Sequence, residues 1–159
     1  MEEKRPNPRV DGALIEIQSW SQTPPFLLSF DIFNKNVHNF LVDLGASLNV
    51  MPYSVYKKLN AQPQICKTKI IQLDWSHVKV FGELNDVLIP LSLNSKVHQT
   101  IDIIVVDIPK AYGVILSRDW SSKLNGYFAT DWSHIWLPYK GQSNKIKVEH
   151  ERYMKHMVT

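Results

Sequence analysis

A chain of 159 residues with 44% apolar and 21% charged residues has the size and composition of one globular domain with a core of its own. The formal charge of +3 is slight, and much of the basic excess lies near the ends (Lys4, Arg5 and Arg9; Lys140, Lys145, Lys147, Arg152 and Lys155), so nucleic acid is not an expected partner of the folded body. Cys66, the only cysteine, excludes an intrachain disulfide; "MEEKRPNPRV" is too charged and proline-bearing for a signal peptide, and no apolar run approaches the ~20 residues of a membrane helix. A soluble, intracellular protein of the cytoplasm is the expectation.

Residues 1–24 carry Pro6, Pro8 and Pro24 and read as an N-terminal extension, within which "ALIEIQSW" alternates as a strand. The body, residues 25–138, opens with "FLLSFDIF" and "NVHNFLVD" around the turn composition "NKN", the signature of a hairpin. Pro52 suits the start of a short helix, "PYSVYKKLN", with Val55 and Leu59 on one face. "KTKIIQLD" and "VKVFGELNDVLIPLSLN" read as strands joined by a tip at "WSH", and the β-branched "QTIDIIVVDIP" as a buried strand. "AYGVILSRDWSSKLNG" begins apolar, turns helical and closes on Gly126; "YFATDWSHIWLPY" supplies the last strands. Residues 139–159 turn polar and read as a C-terminal linker or tail. Many short strands with one or two short helices imply an all-β barrel or sandwich.

"DWSH" at 74–77 and 131–134, with "DWS" at 119–121, brings Asp, Ser and His together and raises the question of a hydrolase triad. Adjacent strand residues face opposite ways, whereas triad members converge from separate parts of a fold, so a recurrence of turn composition is the better reading. The histidines at 38, 77, 98, 134, 150 and 156 show no zinc-like spacing, and no glycine cluster could cradle phosphate; no metal and no cofactor are expected.

What remains is "FLVDLGASLNVMP" around Asp43. Alone, an Asp-x-Gly triplet reads as a solvent turn, because Asp accepts local hydrogen bonds and Gly tolerates left-handed backbone. Apolar segments on both sides suit instead a carboxylate at the floor of a cleft. Together with "LDWSHVKVFGELNDVLIPL" and "YGVILSRDWSSKLNGYFATDWSHIWLPYKG", this stretch resembles the retropepsin-type aspartic protease domain of plant gypsy-type LTR retrotransposon polyproteins, over about residues 24–141.

That resemblance implies a closed all-β acid-protease barrel forming half of an enzyme, an aspartic endopeptidase of extended peptide or polyprotein substrates. Asp43 matches the catalytic aspartate, supported by Leu44, Gly45, Ala46 and Ser47. Ile115 and Leu116 match the apolar pair behind it, followed by Ser117 and the structural Arg118, which would brace the loop near Ser47 or pair with Asp119. Asp74, Trp75, Ser76, His77, Val78 and Val80 match the flap. Trp75, Val80 and Ile115 would line apolar substrate pockets, with Trp75 equally readable as a core or edge aromatic and His77 as an exposed tip. Leu44 stands where the family has Thr or Ser, whose hydroxyl bonds across the two active-site loops, and Ser117 where it usually has Gly, so that a side chain would crowd the aspartate loop. The chain has one Asp-x-Gly, so a second carboxylate must come from a second copy in a homodimer. The alternative is a catalytically weak or inactive dimerisation or peptide-binding module on the same fold.

Overall fold

The computed structural model describes residues 24–60, 79–108, 113–153 and 156–159. Strands β1 (Leu27–Ile32) and β2 (Lys35–Val42) form the expected hairpin, with Phe33 and Asn34 at positive φ in its two-residue turn. Such a turn twists the way the strands twist, which is why it suits so short a connection. Strand β3 (Val50–Pro52) leads into helix α1 (Tyr53–Leu59), which buries Val55 and Leu59 and stops at Asn60 in the left-handed conformation. Pro52 caps this helix from an extended backbone, one position before its first turn.

The long hairpin β4 (Lys79–Leu91) and β5 (Asn94–Asp107) carries the central β-branched runs. A two-residue strand β6 (Ile115–Leu116), helix α2 (Arg118–Lys123) and strands β7 (Tyr127–Phe128), β8 (His134–Tyr139) and β9 (Gln142–Lys147) complete the chain. Gly126 is not the left-handed stop of α2. Asn125 takes positive φ, and Gly126 is required by packing, since a Cβ there would lie 2.7 Å from Leu137 Cδ2.

The strands close into a barrel of order β1-β2-β6-β3-β5-β4, flanked by a three-stranded sheet β7-β8-β9. Alternating burial along β8, with Ile135 and Leu137 inward, fastens this sheet to the barrel through the cluster that also holds Phe30, Phe40 and Trp120. A second cluster, including Leu41, Val50, Ile104 and Ile115, lies beside the β2–β3 connection.

The residues read as a tail, 139–159, are in part built into the folded body. They contribute β9, a bridge from Glu149 to Leu27 and another from Val158 to Val37. Met157 is fully buried in the main cluster. The residues before it, "KVEHERYMKH", are largely polar, which is why the segment reads as a tail. The strands expected from "ALIEIQSW" and "KTKIIQLD" lie outside the described residues, as does the "WSH" tip.

Candidate active site

The barrel order brings β2 and β3 onto either side of β6. Strand β2 runs parallel to β6 through Leu41↔Ile115 and Val42↔Leu116, while β3 meets β6 antiparallel at Val50↔Ile115. Residues 43–49 therefore loop over the end of β6, and Asp43 begins that loop at the end of β2. It is 5% exposed, unlike a solvent turn residue.

Main-chain bonds lace the loop to its floor. Asp43 N–H donates to Leu116 O at 3.0 Å, Ala46 N–H to Asp43 O at 3.1 Å, and Arg118 N–H to Ala46 O at 3.2 Å. Gly45 N–H donates to Asp43 Oδ1 at 2.9 Å, which helps orient the carboxylate. The reason for glycine is not left-handed backbone, because Gly45 is absent from the positive-φ positions and a Cβ would meet Asp43 Oδ1 at 3.4 Å, an ordinary contact. Its clear contribution is the N–H.

Ser117 is 1% exposed and does not crowd the aspartate. Its Oγ turns to α2 and accepts from Asp119 N–H at 3.3 Å as an N-cap, while its own N–H donates to Asn49 Oδ1 at 2.8 Å. Asn49 Nδ2 donates in turn to Asp102 O at 2.9 Å, and Asn49 O accepts from Ile104 N–H at 2.9 Å. Asn49 thus ties the loop to both β5 and the β6–α2 junction. Sequence reading passed it over; the available signal was a lone amide inside the apolar run "SLNVMP".

Ile115 and Leu116 are buried beneath the loop as the apolar pair. Arg118 braces the loop through its main chain at Ala46 and makes no ion pair with Asp119; both side chains are exposed. Ser47 is exposed, and Leu44 is 40% exposed at the loop crest. Val80 packs with Leu48 against the cluster containing Ile115, so two of the three expected pocket residues share one apolar wall. Asp74, Trp75, Ser76, His77 and Val78 lie outside the described residues. Beside the loop, a cleft of about 370 Å³ is lined by Ser47, Asn49, Asp102, Ser117 and Trp120.

Two solved structures are similar to this chain in fold. The retroviral protease-like domain of Ddi1 from Leishmania major aligns with a TM-score of 0.61 at 12% identity, over 82% of this chain and 100% of that one. The fold is retropepsin-like. EIAV protease complexed with the inhibitor HBY-793 aligns at 0.50 and 21% identity, over 70% of this chain and 98% of that one. No protein-family model and no curated protein matches the sequence.

On this retropepsin-like frame, two serine clusters away from Asp43 are arranged unlike nucleophiles. Ser133 Oγ donates to Asp131 Oδ1 at 2.7 Å and stands 2.7 Å from His134 Nδ1; Ser29 Oγ donates to Glu149 Oε1 at 2.5 Å and stands 2.7 Å from His38 Nδ1. In each the serine proton is directed at the carboxylate, whereas an activated serine gives it to histidine. Among the described residues, no three His, Cys, Asp or Glu side chains are grouped to hold a metal ion, and no helix is long and apolar enough to cross a membrane.

Proposed function

We propose that the protein is an aspartic endopeptidase working as a homodimer, with one Asp43 from each copy, and that it processes a polyprotein of the plant gypsy-type retrotransposon kind. The observation that carries this reading is the buried Asp43 at the end of β2, held by Gly45 N–H and by a loop laced to β6 within a retropepsin-like barrel.

In the mechanism, two Asp43 carboxylates meet across a two-fold axis. Like charges in contact cannot both ionise, so the pair holds one proton. The ionised member takes a proton from water, and the neutral member donates to the scissile carbonyl. The two titrations belong to the pair, which gives a bell-shaped, acid-shifted rate profile. Substrate lies extended, hydrogen-bonded as an added strand, with its side chains against Val80 and Ile115.

The decisive experiment is cleavage of a polyprotein-derived peptide library by purified protein and by Asp43→Asn. Pepstatin-sensitive cleavage, lost in the variant, is expected; undiminished cleavage by Asp43→Asn would overturn the proposal. A second reading, a catalytically silent dimerisation or peptide-binding module, is favoured by Leu44, which has no hydroxyl to bond across the paired loops. A stable dimer that turns over no peptide, and gains no turnover in Leu44→Thr, supports that second reading.

A further inference from the structure

Strand β9 puts two lysines of the C-terminal sequence, Lys145 and Lys147, onto one side of the flanking sheet. Directly opposed residues of antiparallel strands share a face. The register places Tyr127, Trp136 and Lys145 in one cross-strand row, and His134 beside Lys147 in the next. The alternate row, Phe128, Ile135 and Ile146, faces the core, with Ile135 fully buried.

On the outer face the aromatic rings and cations are in contact. The Tyr127 and Trp136 rings lie 6.2 Å apart at 17°, His134 meets Trp136 edge-on at 5.1 Å, and Lys145 Nζ stands 5.4 Å from the Trp136 ring centre. Tyr127 is 53% exposed, and Lys145 and Lys147 are exposed. The other outward positions, Pro138 and Ser143, are neutral, so these strands put no carboxylate on the face. Asp131 lies in the turn before β8, where it is engaged by Ser133.

We infer that this face binds single-stranded nucleic acid, with bases stacking on Tyr127 and Trp136 and phosphates paired to Lys145 and Lys147. Charge complementarity selects a polyanion, and the rings select one with flat partners. An acidic peptide would use the lysines and leave the rings idle. With strands about 4.8 Å apart, a three-stranded face holds on the order of two or three nucleotides. The site is separate from Asp43 and stands whether or not the chain is a protease.

The test is fluorescence anisotropy of the full chain with labelled oligo-dT and oligo-U, which distinguish DNA from RNA, and with oligoglutamate as the flat-partner control. Binding should weaken with salt at a log–log slope of about −1.4, about 0.7 per phosphate contact, and Lys145→Gln with Lys147→Gln should remove most of that slope. Trp136→Ala should weaken oligonucleotide binding about tenfold or more, as expected for one lost base stack. Trp136→Phe, which keeps a ring in the sheet, should retain most affinity, and Tyr127→Ser supplies a second loss at an exposed position. Oligoglutamate bound as tightly as the oligonucleotides, affinity indifferent to both rings, or binding unchanged in the double lysine variant would each overturn the inference.

Discussion

Asn49 and His38 show how single polar side chains hold this molecule together. Asn49 gives its oxygen to the buried Ser117 N–H and its amide to Asp102 O. Truncation to alanine leaves a buried donor unmet, so Asn49→Ala should cost about 1–3 kcal/mol in urea unfolding, and Asn49→Asp, which keeps the acceptor, should cost less. On the protease reading, Asn49→Ala should also lower turnover by loosening the loop under Asp43. His38 is buried beside Ser29; burial above all, then the Arg152 charge, holds its pKa below the ordinary 6.5, while Glu149 opposes them. Arg152, Glu149, His150, Glu151 and His156 line the same pocket from the C-terminal segment. With the folded value depressed, the unfolded chain takes up the proton first as pH falls through 6.5. Stability should therefore decline between 6.5 and the lower folded value, and His38→Gln should flatten that decline in unfolding curves taken at about pH 7.5 and about pH 5.5.

At the level of elements, a bulge makes the C-terminal segment part of the barrel. Between the pairs Leu28↔Phe40 and Phe30↔Val37, β2 carries one residue more than β1, and Asn39 takes φ 63° there. Asn39 clamps the Arg152 backbone in both directions, donating to its O at 2.7 Å and accepting from its N–H at 2.8 Å. His38 N–H donates to Met157 O, and Asn36 and Thr159 exchange both main-chain bonds. Met157 then closes over Gly113, where φ is +88° and a Cβ would stand 2.8 Å from the methionine sulfur. Met157→Ala should cost about 2–5 kcal/mol in thermal or chemical unfolding, the range for emptying a filled core position. A loss no larger than that of an exposed residue would show that the segment merely rests on the barrel.

For the whole molecule, the protease reading predicts concentration dependence. The chain has one Asp-x-Gly, so a peptidase built from it requires two copies in register. Specific activity should fall on dilution below the dimer dissociation constant, in step with the dimer fraction seen by analytical ultracentrifugation. Activity per chain that stays constant into the monomer range would remove the shared-site reading. Leu44, exposed at the loop crest, makes this dependence a property worth comparing between the native chain and Leu44→Thr, in which the added hydroxyl should tighten the pair.

Much of this protein is written in local sequence rules. The first hairpin, the proline-led helix, the central strands and the walled Asp43 turn were legible because period-two burial, turn residues and proline are written within a few positions of one another. Three features were not. Asn49 works through partners far along the chain, Met157 is buried at the end of a largely polar segment, and Tyr127, Trp136 and Lys145 come from three separate strands. Their meaning depends on register and closure, which are set by the sum of long-range contacts and not by any single window. The sequence alone determined which residue could be the acid; only the tertiary structure decided that it is buried, held and seated on the floor of β6, and that Lys145 and Lys147 share a face with the rings of Tyr127 and Trp136.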